Sequence, residues 1–198
     1  MRRSIVLGSI VLTCAVGLYA DDALTKSDAA RFQGKLSQIE TNAVTPVKRG
    51  VARTTAISDA EVNSYLKFLA GSQVPVGIAD PILHAIGNGR VTGRAVVDLD
   101  AVRTQKKRAW NDPLAYLTGR VPISAQGTLV TTNGEGRFTL ESADLSGVTI
   151  PKSLLQELLT YYSRSPERPD GINMDNPFQL PSAIKEIKVG TGTTTVVQ

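Results

Sequence analysis

The chain is predicted to be α+β, a curved antiparallel sheet packed with one or two amphipathic helices and preceded by a helix of its own. Three observations predict it. Two capped segments, each with a single apolar stripe, stand at residues 58–70 and 151–162. Between and after them run stretches with a period of two, the mark of half-buried strands. Asn88-Gly89 and Asn133-Gly134 interrupt these stretches with the dipeptide that two-residue hairpins favour. Tight hairpins join antiparallel strands, and helices set apart from them in the chain give α+β rather than alternating α/β.

The first twenty residues read as a secretory signal. Arg2 and Arg3 open it, residues 5–18 are apolar, and Leu18-Tyr19-Ala20 is a small-residue cleavage site. The apolar run is short of the ~20 residues that span a bilayer. An uncleaved N-terminal anchor is the first alternative. A lipoprotein is the second, although Thr13 stands before Cys14 where a lipobox wants a small residue. The expected location is therefore periplasmic or secreted.

Removing residues 1–20 leaves about 178 of 198, one domain of ordinary size. The single cysteine leaves with the signal, so the rest folds without a disulfide. The formal charge of +4 falls to about +2 once Arg2 and Arg3 are gone, which is no footprint for nucleic acid. Residues 21–45 read as an N-terminal helical segment and 46–198 as a single α+β domain.

Within 21–45, Ala29, Phe32, Leu36, Ile39 and Ala43 form one helical stripe, and Pro46 ends it. Residues 47–57 alternate as a strand. Ser58-Asp59-Ala60-Glu61 is then a capping box, with Ile57 and Val62 placed as its hydrophobic staple. Val62, Tyr65, Leu66 and Leu69 are the expected buried stripe, and Gly71 stops the helix. Residues 82–86 lead through Asn88-Gly89 into a long strand. Val91, Gly93, Ala95, Val97, Leu99 and Ala101 take its apolar face, and Arg90, Thr92, Arg94, Asp98 and Asp100 the other. A second long strand covers 120–131 and a third 136–145. Pro151 suits the first turn of the second helix, though Ser153-Leu154-Leu155-Gln156 offers a competing cap. Two short strands, 184–189 and 193–197, close the chain.

These pieces resemble a group of small bacterial envelope proteins with a T/S-x-x-E-x-N-x-Y-L helix, long strands, a Pro-led second helix and a closing LP-x-x-I-x-x-I-x-V-x-x-G hairpin. The matching residues run from Ser58 through Glu61, Asn63 and Tyr65 to Leu66, then Val148 through Ile150-Pro151 to Leu155, then Leu180-Pro181, Ile184, Ile187 and Val189. The arrangement looks like the half-barrel relatives of the tubular lipid-binding (TULIP) superfamily, such as the LmeA-like and YceB-like periplasmic families. It covers most of residues 46–198. The resemblance implies a sheet wrapped on a helix around a hydrophobic groove for lipid, and it carries over no catalytic residue.

Chemistry has little to work with. His84 is the single histidine and lies in an apolar strand stretch, so a packed or edge histidine is expected. One histidine and no cysteine after the signal leave no soft metal site. Asp98 and Asp100 would stand about 7 Å apart on one strand face, where neighbouring arginines make a solvated charged face the expectation. No cofactor and no enzymatic activity are expected. The expected ligand is a lipid or other acyl chain in an apolar seam between sheet and helices. Its expected lining is Tyr65, Leu66, Leu69, Val97, Leu99, Ile123, Leu129, Phe138, Leu140, Leu155, Leu158, Leu159 and Tyr162. Lys106, Lys107, Arg108, Trp110, Leu114 and Tyr116 combine cations with interfacial aromatics, which suits peripheral contact with an anionic membrane. The competing reading is an accessory envelope protein whose seam is a filled core and which binds a protein partner.

Overall fold

A computed structural model describes residues 23–45, 51–104, 118–166 and 168–198, with the backbone alone at Arg103 and Tyr162. The signal expected at 1–20 lies outside the described residues. So do Lys106, Lys107, Arg108, Trp110, Leu114 and Tyr116.

The chain forms α1 (Lys26–Val44), β1 (Thr54–Ser58), α2 (Asp59–Phe68), β2 (Ile78–Gly87), β3 (Arg90–Asp98) and α3 (Leu99–Thr104). There follow β4 (Arg120–Thr132), β5 (Glu135–Leu145), β6 (Val148–Thr149), α4 (Lys152–Ser163), β7 (Phe178–Gln179), β8 (Glu186–Val189) and β9 (Thr193–Val197). The fold is α+β with open antiparallel sheets. Among the described residues, no helix is long and apolar enough to cross a membrane.

The strands form two sheets, where the sequence led us to expect one. The larger has the order β2-β3-β4-β5-β6 with β7 also on β5, and the smaller has the order β1-β9-β8. Hairpins of two residues join β2 to β3, β4 to β5 and β5 to β6 in the larger one. Asn88-Gly89, Asn133-Gly134 and Ser146-Gly147 all take positive φ at both positions, the geometry that matches strand twist. The smaller sheet instead brings in a distant segment, with Thr54 of β1 opposite Val197, while the neighbouring β8 places Glu186 opposite Val197 on the other side. The two sheets are stitched together. Gly89 N–H donates to the Val189 carbonyl, and the Thr131 hydroxyl both donates to the Ile187 carbonyl and accepts from its N–H.

The core sits on the smaller sheet. Ile39 of α1, Ile57, Ile184 and Val196 cluster there, with Phe32, Val62, Leu180 and Ile187 packed around them. The α1 stripe is used as its spacing predicts, with Ala29 and Ile39 buried and Phe32, Leu36 and Ala43 half-buried.

Capping sets α2. The Ser58 hydroxyl accepts from the Glu61 N–H, and the Glu61 carboxylate accepts from the Ser58 N–H. Its buried face differs from the predicted apolar stripe. Glu61, Asn63, Ser64 and Tyr65 are the buried residues, Val62 and Leu66 are half-buried, and Leu69 is 43% exposed. The partners explain this. Ser64 and Ala29, both 0% exposed, are small enough for α1 and α2 to pack closely, and the Thr25 N–H donates to the Ser64 hydroxyl. Glu61 pairs with Lys35 of α1 at 2.7 Å.

The long strand expected to reach Ala101 ends at Asp98. Leu99 and Ala101 belong to α3 instead. The Asp98 carboxylate accepts from the Ala101 N–H, a helix N-cap, and Asp100 accepts from the Gly119 N–H. Both carboxylates are therefore occupied in turning the chain. The paired-acid geometry of a single strand does not form.

Candidate functional site

The two capped helices stand at different strands. α2 lies against α1 and the edge strand β2, and α4 lies against β5, with β3 and β4 between those strands. The single seam expected between both helices and the sheet is thus divided.

α2 reaches β2 by hydrogen bonds rather than apolar packing. The Asn63 amide donates to the Leu83 carbonyl and accepts from the Leu83 N–H, both at 2.8 Å. One turn earlier, Asp59 accepts from the Ala85 N–H. Residues four apart on a helix face thus satisfy residues two apart on a strand edge, an edge otherwise open to pairing with another chain. His84 is an edge histidine, 46% exposed on its side chain, with Nδ1 3.4 Å from Asp59. Tyr65 meets Phe32 edge to face at 5.1 Å, and its hydroxyl bonds Gln73. The helix motif of the resemblance therefore serves architecture here, through a cap (Ser58, Glu61), an edge clamp (Asn63) and a helix–helix contact (Tyr65).

The larger sheet has two unlike faces, read from its register. Residues directly opposite share a face. One face carries Val97 opposite Val121, Ala95 opposite Ile123 opposite Leu145, Gly93 opposite Ala125 opposite Ala143, Val91 opposite Gly127 opposite Leu140, and Leu129 opposite Phe138. The Phe138 ring lies over Gly127, where a β-carbon would collide with it. This face is apolar, and the described residues cover it only in part. Val97, Ile123, Leu129, Phe138 and Leu140 are all half-buried. Leu155, Leu158 and Leu159 of α4 are half-buried too, and Leu154 is exposed.

Of the remaining residues expected to line the seam, Tyr65 and Leu99 are buried in the packing of α2 and α3. Leu66 is half-buried and Leu69 is exposed. The side chain of Tyr162 lies outside the description.

α4 is held by the segment that follows it. Gln156 donates to the Ile172 carbonyl and accepts from the Met174 N–H, and the Ser163 hydroxyl accepts from the Ile172 N–H. Lys152 pairs with Asp175. Nothing in the residue pattern announces this latch, because Gln and Ser in a helix read as its solvent side.

The opposite sheet face is polar and carries a depression of about 490 Å³. Its lining includes Asp80, Ile82, Arg94, Val96, Pro122, Ser124, Asp144, Ser146 and Gly147, and Ile123 also borders it. Among the described residues, no group of histidine, cysteine or acidic side chains could hold a metal ion. No family model, curated protein or solved structure matches the chain.

Proposed function

We propose that the protein is a non-catalytic carrier of an acyl chain or lipid in the cell envelope, with the ligand on the apolar face of the larger sheet beside α4. One observation supports this above others. Most apolar side chains of that face and of α4 are left half-buried (Ala143 is buried and Leu154 exposed), whereas a filled core takes such side chains below a tenth exposed, as Ile57 and Val196 are here. About ten buried methylenes would contribute about 8 kcal/mol before ordering costs, enough for affinity of roughly micromolar order or weaker.

The half-barrel relationship, export through residues 1–20, and docking on an anionic membrane through Lys106, Lys107, Arg108, Trp110, Leu114 and Tyr116 belong to this same reading. Nucleic acid has no place in it.

The test is native mass spectrometry of protein purified from its own envelope without detergent, followed by solvent extraction. A reproducible adduct of lipid mass supports the carrier and identifies its cargo. A mass that stays unliganded after incubation with envelope lipids sinks the carrier and favours an accessory protein with a protein partner.

A further inference from the structure

The polar face of the larger sheet carries a second candidate site, beyond the acyl-chain reading and on the other side of the sheet. Its floor is one cross-strand row. Ile82 lies opposite Arg94, Arg94 opposite Ser124, and Ser124 opposite Asp144. Val96 and Pro122 form the next row beside it. Two raised backbone features wall the depression. On the β2 side the strand bulges between Ala79 and Ile82, and Asp80 takes φ 48° there. Left-handed φ is uncommon outside glycine, and aspartate tolerates it better than most residues. On the β5 side stands the Ser146-Gly147 hairpin turn.

The charges in this depression are not paired with each other. Arg94 has no hydrogen-bond or ion-pair partner for its guanidinium among the described residues. Asp144 is two strands away, about 10 Å at the backbone by ordinary strand spacing. The Asp144 carboxylate is oriented from its far side by the Thr149 hydroxyl at 3.1 Å. Among the described residues, an unpaired cation and a hydrogen-bonded anion thus border one hollow, beside the apolar side chains of Ile82, Val96 and Pro122.

We propose that this depression binds a small zwitterion, with its anionic group on Arg94 and its ammonium on Asp144. The guanidinium presents a planar fork suited to a phosphate or carboxylate. Asp80 at the β2-side rim adds negative potential that disfavours a simple anion. Phosphoethanolamine and free amino acids share this chemistry, the first as a lipid headgroup.

The test is a titration of ¹⁵N-labelled protein with phosphoethanolamine, leucine, inorganic phosphate and ethanolamine, each alone, read at the backbone amides. Saturable shifts at Val96, Ser124 and Gly147 are expected with the zwitterions. Stronger binding of phosphoethanolamine assigns a headgroup, and stronger binding of leucine assigns a free amino acid. Arg94→Ala is expected to abolish the shifts, with Arg94→Gln as the second variant if the first fails to fold. Asp144→Asn is expected to weaken the zwitterions about tenfold and leave phosphate unchanged. Shifts that persist in the arginine variants, equal binding of phosphate alone, or no saturation in the millimolar range would each overturn the proposal. None of these outcomes depends on whether an acyl chain occupies the other face.

Discussion

Ile39, Ile57, Ile184 and Val196 meet between α1 and the three-stranded sheet with 5% to 8% of their surface exposed. Val97, Ile123, Leu129 and Leu140, of similar size and chemistry, stay half-buried on the six-stranded sheet. The first group is enclosed from several directions, by a helix on one side and by strands brought from both halves of the chain. The second is supported from below by its own sheet, and the helices around that sheet meet it at separate strands, α2 at β2, α3 at β3 and β4, and α4 at β5. The contrast teaches that apolar residue type does not decide whether a surface becomes core. What decides it is how many other elements the topology brings to that surface.

Truncating one residue from each region tests this difference most directly. Ile57→Ala is expected to cost about 2–5 kcal/mol, the usual range for a buried aliphatic side chain. Ile123→Ala should cost less than half as much, because water already reaches that side chain. Urea midpoints of the two variants measure it, and equal losses would mean that the sheet face is core after all.

Asn63→Ala probes the joint between the two regions. It leaves the N–H and carbonyl of Leu83 without their partners, at about 1–3 kcal/mol. Faster amide hydrogen exchange at Leu83, with β4 and β5 unchanged, is the expected signature. Protection lost evenly across both sheets would show that the clamp does not act locally.

Leu158→Trp asks whether the open face can accept bulk. Overpacking a filled core costs about 1–3 kcal/mol. Beside an open groove, the indole should instead leave the melting temperature near that of the parent while displacing an acyl-chain probe. A large fall in melting temperature with probe binding retained would reverse the assignment.

The smallest effect concerns Glu61. Burial raises its carboxyl, but the Lys35 ammonium and the Ser58 hydroxyl and N–H outweigh burial and hold it below the usual carboxylate range. A carboxyl lowered on folding contributes stability above its unfolded value of about 4.3, and that contribution fades as the pH drops through the folded value. Glu61→Gln should therefore be less stable than the parent at neutral pH and show a shallower loss on acidification below about pH 4.3. Identical acid slopes would remove Glu61 from the account.

Features that depend on a few adjacent residues could be read from the chain. The Ser58–Glu61 cap, the Asn-Gly hairpins and the Pro151 start of α4 are local geometry, and the sequence carries them openly. The end of β3 was hidden because Leu99 and Ala101 continue the alternation while Asp98 caps a helix. Ser146-Gly147 lacks the asparagine that marked the other two turns. Burial of Asn63 and Ser64 could not be foreseen, because each is decided by a distant partner, the edge of β2 and the start of α1. The division of the expected seam has the same origin. The pattern showed that α2 and α4 each have an apolar side, but which strand each would meet is a long-range fact.

The pairing of β9 between β1 and β8 bears on the order of assembly. Every neighbouring pair from β2 to β6, except β3 with β4, closes through a two-residue turn, so each can form while its residues are still close in the chain. The smaller sheet must bring residues 54–58 to residues 193–197 before its core can exist, and closing so long a loop carries an entropic cost up front. The region that ends up best packed is then the last to assemble. Until it does, the apolar face of the larger sheet exists without the smaller sheet beside it. Pulsed hydrogen exchange during refolding would reveal this sequence as early protection of β4 and β5 amides and late protection of Thr55 and Val196.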